Sequence, residues 1–545
     1  MKFVALVTAL LTTASINTGA AYQNTTGLGD GTTPSVESNH ELPEFIKGNA
    51  ITTSIPAMIS FDPALGEDSS SFAIIRATFD GLTRTGADGQ THLSMAEKID
   101  VSADLKTYTF TIRDAKWSNG ETVTAHDFEF AWKRELDPKT AANYAYQMYY
   151  IKNAEKVNKG EGSLDEVGIK ALDAKTLQVT LENPTPYFLE LTAFPTYYPV
   201  NKKVVSANPG WANDAKTHVS NGPFTIKSME DQSHLVLAKN QQYWDKQSVK
   251  LDGINFLYIE DEYDMVSMFN TGELDWAGDP LGNLPEDLYG AYKKEGLLHT
   301  KSIAGVYWLK LNTEKPPFNN AKIRKAFAYA VNRAEVIGQV KPSNLPATGV
   351  VPLSMPLQQE GYFKDNDTVK AKQLLQEGLN ELGLKQLPPI TYSFNTSEGH
   401  KRIAETIQHQ WKNSLGVDVK LENKEWMSYI EDLHQGNYQI GRMGWLGDFN
   451  DPINFLELFK DKKGGSNDTN WENIKYKELL DQSQLERDPA KRNELLKQAE
   501  QIIMEEMPVI PIYYYTSSWV QNEKVKGVVL DGLGLIDYKW ASKDK

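Results

Sequence analysis

The sequence predicts an α/β fold, strand-rich in its N-terminal half and built on parallel strands in its C-terminal half. Two observations carry that reading. From about Asn49 to Asn320, short alternating runs dominate, with scattered helices between them. From Ala321 onward, runs at helical spacing alternate with strands, and one stretch reads strand, helix, strand. That order makes a βαβ unit, which requires a parallel pair.

The chain starts with Lys2, an apolar run from Phe3 to Leu11 and small residues from Gly19 to Ala21. Charge, short apolar core and small-residue exit are the order of a secretory signal peptide, here 1–21. Residues 22–48 are rich in Gly, Ser, Thr and Asn and read as a flexible leader. No later run approaches the roughly 18 to 20 apolar residues of a membrane span. The expected location is therefore extracytoplasmic.

"TYTFTIRD" (Thr107 to Asp114) sets Tyr108, Phe110 and Ile112 against three threonines, the alternation of a half-buried strand. "KTLQVTLEN" (Lys175 to Asn183) repeats it with Leu177, Val179 and Leu181. "TAHDFEFAWKREL" between them gathers Phe128, Ala131 and Trp132 on one helical face. Further on, "TVKAKQLLQEGLNELG" has leucines at helical spacing, Asp367 as cap and Gly383 as stop. "ITYSFNT" is a strand, the helix after it carries Ile403, Ile407, Trp411 and Leu415, and "VDVKL" (Val417 to Leu421) is the next strand. A helix from Trp426 to Leu433 precedes the strand "YQIGRMGW", and Asp488-Pro489 opens a last long helix.

With 545 residues the chain has room for about two to four domains. Forty per cent of them are hydrophobic, so large cores can form and a disordered chain is excluded. A formal charge of −15 argues against nucleic acid as a partner, since no basic excess is available to meet phosphates. There is no cysteine, which excludes disulfides, zinc–thiolate sites and thiol nucleophiles. The nine histidines are scattered, and no HExxH, GxxxxGK[ST] or GxSxG occurs. Neither a catalytic residue, a cofactor nor a metal is therefore expected. Large aromatics are abundant, in runs such as "YAYQMYY", "GVYWLKLN" and "IPIYYYTSSW", which suit a roomy pocket as well as a core.

The stretch "GRMGWLGDFNDP" (Gly441 to Pro452) stands apart. Asp451-Pro452 supplies the cap and first turn of the following helix. Asp448 is then surplus. On spacing alone it is either a turn former bonding its own loop amides or a carboxylate awaiting a cation, at the strand end where ligands of open α/β sheets bind.

"KTYTFTIRDAKWSNGETVTAHDFEFAWKRELDP", "NPTPYF", "VSNGPFTI", "KPPFNNAKIRKAF" and "GWLGDFNDPINFLELF" together resemble the solute-binding proteins of bacterial peptide ABC importers. The likeness runs from about Ile51 to the C-terminus and is strongest to the type of Gram-positive bacilli. It implies a three-lobed periplasmic-binding-protein-like fold that closes on its ligand. Domain I would comprise 49–80, 199–305 and 515–545, domain II would be the insertion 81–198, and domain III 306–514. It also implies an oligopeptide ligand, delivery to permease subunits in the membrane, a monomer, and no enzymatic step.

In the family the aspartate of the GW-x-x-D loop pairs with the peptide's amino group, which matches Asp448 beside Gly444 and Trp445. Arg442 and His400 match basic residues that meet the peptide carboxylate. Trp426, Trp445, Glu67, Tyr144 and Tyr515 match pocket-lining positions, and Tyr307 and Trp308 lie where the chain crosses beside the ligand. The resemblance fails at the N-terminus, where Gram-positive relatives carry a lipid-anchored cysteine that this sequence lacks. Alternatives to nutritional peptide capture are a same-fold binder of a metal chelate, a haem or a signalling peptide, and an extracytoplasmic hydrolase.

Overall fold

The computed structural model describes residues 44–544 apart from 57–59, 356, 358–359 and 463–466. The expected signal peptide and most of the leader lie outside the described residues. Among those described, the main element is a sheet of eleven strands. Across it run Val419–Lys424, Ile390–Asn395, Ile440–Leu446, His299–Leu311, Val509–Gln521, Trp276–Gly278, Ala50–Ile55, Gly253–Tyr258, His234–Lys239 and Phe224–Glu230, with Leu345–Pro346 on the edge of Val509–Gln521.

The two central strands have 13 residues each, about 40 Å of extended chain. Their antiparallel ladder slips register between Ser302 and Val306 and again between Tyr307 and Trp308. Pro511 sits opposite Trp308 at the second slip. A proline has no N–H for the ladder, so a central strand tolerates it only where pairing is already broken. Its carbonyl accepts from Arg333 Nε at 2.8 Å.

The βαβ expectation corresponds to parallel pairing of Ile390–Asn395 with Val419–Lys424. The helix between them, Glu398–Leu415, buries Ile403, Ile407 and Trp411, and the Trp411 ring lies 4.9 Å from Phe327. Gly416 ends it at φ 72°, a left-handed turn that favours glycine. The following strand begins at Val419 rather than Val417, because the Val417 amide still bonds back to the Trp411 carbonyl. Asp367 and Asp488 cap their helices as the sequence suggests, each accepting from first-turn amides. The helix after Pro452 is shorter than expected: Ile453–Leu456 passes at once into a 3₁₀ turn, Glu457–Phe459.

A second sheet of four strands is separate from the first. It is ordered Ala96–Val101, Thr107–Ile112, Thr176–Thr180 and Ile169–Ala171, and packs on the helix Ala125–Leu136. Residues far apart in the chain also meet in a buried cluster of charges. Arg84 donates through Nε and Nη2 to Asp537 at 2.8 and 2.9 Å and through Nη1 to Asp80 at 3.1 Å. Arg76 pairs with Asp531. All these side chains are buried. Burial pushes the Asp537 carboxyl up, but the Arg84 and Arg76 charges outweigh it and hold it below its ordinary range.

Breaking a buried pair leaves an uncompensated charge, so Asp537→Asn should destabilise the fold by about 3 kcal/mol in urea unfolding. The sign with pH follows from the depressed value. The wild-type advantage is full above the unfolded aspartate value of about 4 and fades as pH falls through the lower folded one, so the two proteins should converge in acid.

Candidate functional site

The strand Ile440–Leu446 pairs along its whole length with His299–Leu311, but with Ile390–Asn395 only at Ile440 and Gly441. From Arg442 to Leu446 its other edge meets no strand among the described residues. Residues directly opposite in a ladder share a face. Arg442 faces with Leu309, Gly444 with Tyr307, and Tyr307 with Tyr513. Met443, Trp445, Val306 and Trp308 make the opposite face. A Cβ placed on Gly444 would lie 3.2 Å from the Val306 carbonyl and 3.3 Å from the Tyr515 hydroxyl, so glycine keeps the strand surface open there.

Arg442 donates from Nη1 to Asn395 Oδ1 at 3.1 Å, and its guanidinium sits 5.1 Å from the centre of the Tyr307 ring. Its Nε is buried without a hydrogen-bond partner. No carboxylate pairs with it among the described residues. His400, in the first turn of Glu398–Leu415, tilts against Tyr307 at 5.7 Å. Burial, and then the Arg442 charge, push the His400 imidazole down to about 3. The expected second cation is therefore a neutral ring in this structure.

Asp448 lies two residues beyond the strand. Tyr146 donates to its Oδ1 at 3.0 Å, and Gln147 Nε2 donates to its carbonyl at 3.3 Å. Among the described residues no cation pairs with it. Burial pushes its carboxyl up to about 6 against the opposing pull of the Tyr146 bond. The loop is held firmly. Phe449 stacks on Tyr187 at 4.9 Å and 3° and meets Tyr150 edge-on. Asp451 accepts both Arg492 Nη1 and Nη2, at 2.6 and 2.8 Å, and also the Ile453 amide at 3.0 Å. Asp451 thus holds the loop and the helix start, while Asp448 has neither task.

The other expected positions divide. Tyr515 joins the Gly444 face. Tyr144 stacks on Tyr146 at 5.7 Å and 29°, and burial pushes its phenol up to about 12. Glu67 is exposed and accepts from Asn143 Nδ2 at 2.6 Å. Trp426 begins the helix Trp426–Gln435, half-buried against Tyr429. Two tryptophans turn away from Arg442. Trp445 donates to Asn454 Oδ1 at 2.6 Å on the opposite face, and Trp308, 1% exposed, packs on Phe459. The pleat sends neighbours in a strand to opposite sides, which explains both. Sequence reasoning missed Tyr146 and Gln147. The run "YAYQMYY" was the available signal, but a 3₁₀ turn over Ala145–Met148 decides which of its tyrosines points at Asp448.

Residues 90–467 match the family described as bacterial extracellular solute-binding proteins, family 5 Middle. The chain is 53% identical over 489 residues to the oligopeptide-binding protein OppA of Bacillus subtilis strain 168, covering 88% of this chain and 90% of that one. The fold is similar to MppA, a periplasmic murein tripeptide binding protein, in its unliganded open form. The TM-score is 0.85 at 30% identity, over 92% of this chain and 98% of that one. Against Haemophilus influenzae OppA in complex with RPPGFSPFR the TM-score is 0.65 at 29% identity, over 93% and 100%. Of these two, the higher score is to the open, unliganded form.

The Asp448 geometry gives a measurable titration. Carboxyl-carbon NMR should place Asp448 near 6, and Tyr146→Phe should raise it further, because the lost bond favours the ionised form. A drop in the variant would mean that the hydroxyl does not stabilise the carboxylate.

Proposed function

The chain belongs to the family 5 extracellular solute-binding proteins of bacteria, and from that premise we propose that it captures oligopeptides outside the cytoplasm and delivers them to the permease of an ABC importer. It binds and releases its ligand without breaking a bond and works as a monomer. The observation that carries this reading is the carboxylate of Asp448, held on a rigid loop with no cation paired to it among the described residues. A peptide's ammonium is the missing partner. Such a charge-assisted pair contributes roughly 1.5–3 kcal/mol.

The unpaired edge from Arg442 to Leu446 supports a main-chain reader. A peptide laid along it as an added strand gains hydrogen bonds that every peptide can make, whatever its side chains. Arg442 stands at the far end of that edge and Asp448 just beyond the near end, about 20 Å of extended chain apart. A zwitterionic peptide carries its two charges in the same sense. Once its carboxylate sits by Arg442, the neighbouring His400 ring gains an anion and its affinity for a proton rises. Broad side-chain tolerance follows, since affinity comes from the termini and the backbone.

The lobes that move are proposed as the three expected from sequence: 49–80 with 199–305 and 515–545, the insertion 81–198, and 306–514. The separate four-stranded sheet supports the insertion. The register slips in the central ladder mark where the sheet can bend, and hinge closure over the peptide would exclude water from the Asp448 pair.

Titration calorimetry with one pentapeptide, in free-amine and N-acetylated forms, tests the reading. The free form should bind and acetylation should weaken binding at least tenfold, as should Asp448→Asn. Affinity should be flat between about 6, where Asp448 ionises, and about 8, where an α-amine loses its proton. Below that window it should fall up to tenfold per pH unit, because the carboxyl must first release a proton. The acid limb should vanish in Asp448→Asn. Equal binding of both peptide forms would remove Asp448 from its role.

A further inference from the structure

Arg492 is buried, at the fourth residue of the helix Pro489–Glu506. A cation there meets the positive end of the helix dipole, so local preference does not place it. Its Nε has no hydrogen-bond partner, and both Nη atoms go to Asp451. Asp451 pairs with no other cation among the described residues. The guanidinium also lies 5.5 Å from the centre of the Tyr187 ring, within reach of a cation–π contact. Tyr187 is the ring on which Phe449 stacks, and it meets Tyr150 edge-on at 5.8 Å. One side chain thus touches two groups that fix the Asp448 loop. They are the carboxylate of Asp451, three residues beyond Asp448, and the ring against Phe449, the residue next to it.

We propose that Arg492 is a positioning residue for capture of the amino terminus: it does not touch the peptide, but ties the Asp448 loop to Tyr187 so that the ligand's ammonium meets a carboxylate already in place. The inference rests on the reading of Asp448 as the holder of that ammonium. A loop ordered before the ligand arrives loses no conformational freedom on binding, and affinity rises accordingly. The tie requires arginine in particular. Its planar fork matches both oxygens of Asp451 and packs on an aromatic ring, whereas lysine brings a point charge on a flexible stem. Arg492→Lys therefore keeps the charge and removes the two-point geometry. The loss falls on the ammonium, because an acetylated peptide brings no charge for Asp448 to meet.

The test is calorimetry on the full chain with one pentapeptide, free and N-acetylated, in the wild type and in Arg492→Lys. The variant should bind the free form about tenfold more weakly, and the acetylated form within about twofold of wild type. The ratio between the two forms therefore shrinks. It is read within one preparation, so a change in folded fraction does not move it. In the ligand-free variant the Asp448 carboxyl should titrate below its wild-type value of about 6, because a loosened loop lets water reach it. Tyr187→Leu leaves the Asp451 pair intact and should shrink the ratio in the same direction. It decides the matter if the lysine variant does not fold. A wild-type ratio in Arg492→Lys, with both peptide forms weakened equally or not at all, overturns the proposal while leaving Asp448 its role. If acetylation has no effect in the wild type, the Asp448 reading fails and this one with it.

Discussion

One ladder, His299–Leu311 against Val509–Gln521, belongs to both halves of the main sheet, and the site depends on its irregularity. Regular pairing over thirteen residues would make a stiff ribbon. Instead the register slips twice, and slips of this kind loosen and twist a strand locally. The Asp448 loop is bonded to the loosened stretch: the Gly447 amide donates to the Ala304 carbonyl at 2.7 Å, and Ala304 in turn donates to Gly532 at 2.6 Å. The position of the Asp448 carboxylate is therefore tied to the stretch of the sheet where the ladder is irregular.

The charges follow a simple division. Arg84 with Asp537, Arg492 with Asp451 and Arg333 with Asp365 are ion pairs with at least one buried partner, satisfied within the chain. Arg442 and Asp448 are partly withdrawn from water, with no opposite charge paired to either among the described residues, one at each end of the same open edge. Desolvating an unpaired charge opposes folding, so the pattern is retained at the expense of stability. The fold tolerates it because the satisfied pairs and the aromatic stack of Phe449 on Tyr187 hold the surrounding backbone in place.

Much of this was legible in the sequence, and the limits have physical causes. Periodicity located the strands Thr107–Ile112 and Ile390–Asn395 and the helices capped by Asp367 and Asp488, because local pattern and tertiary burial agree there. The distinction between Asp451 and Asp448 was visible as a surplus residue, although the partner that explains Asp451, Arg492, is 41 residues away. Trp308 and Trp445 enter through the resemblance, and which face of the strand each takes depends on ladder register, which composition does not carry. Tyr146 went unnoticed beside Tyr144 because the choice between them rests on a single 3₁₀ turn. His400 is basic by type and neutral by position, a difference that only burial and the nearby guanidinium reveal.

The same unpaired edge that suits a peptide is also a hazard when empty. Open strand edges template pairing with other chains, and proteins blunt them with charge, short length or cover. Here the exposed stretch is only Arg442 to Leu446, it begins with a guanidinium, and the Tyr429 hydroxyl already occupies the Arg442 carbonyl. Among the described residues no carboxylate pairs with that guanidinium, so a second chain laid on the edge would take water from a charge without replacing it, which is one of the ways a short edge resists unwanted pairing.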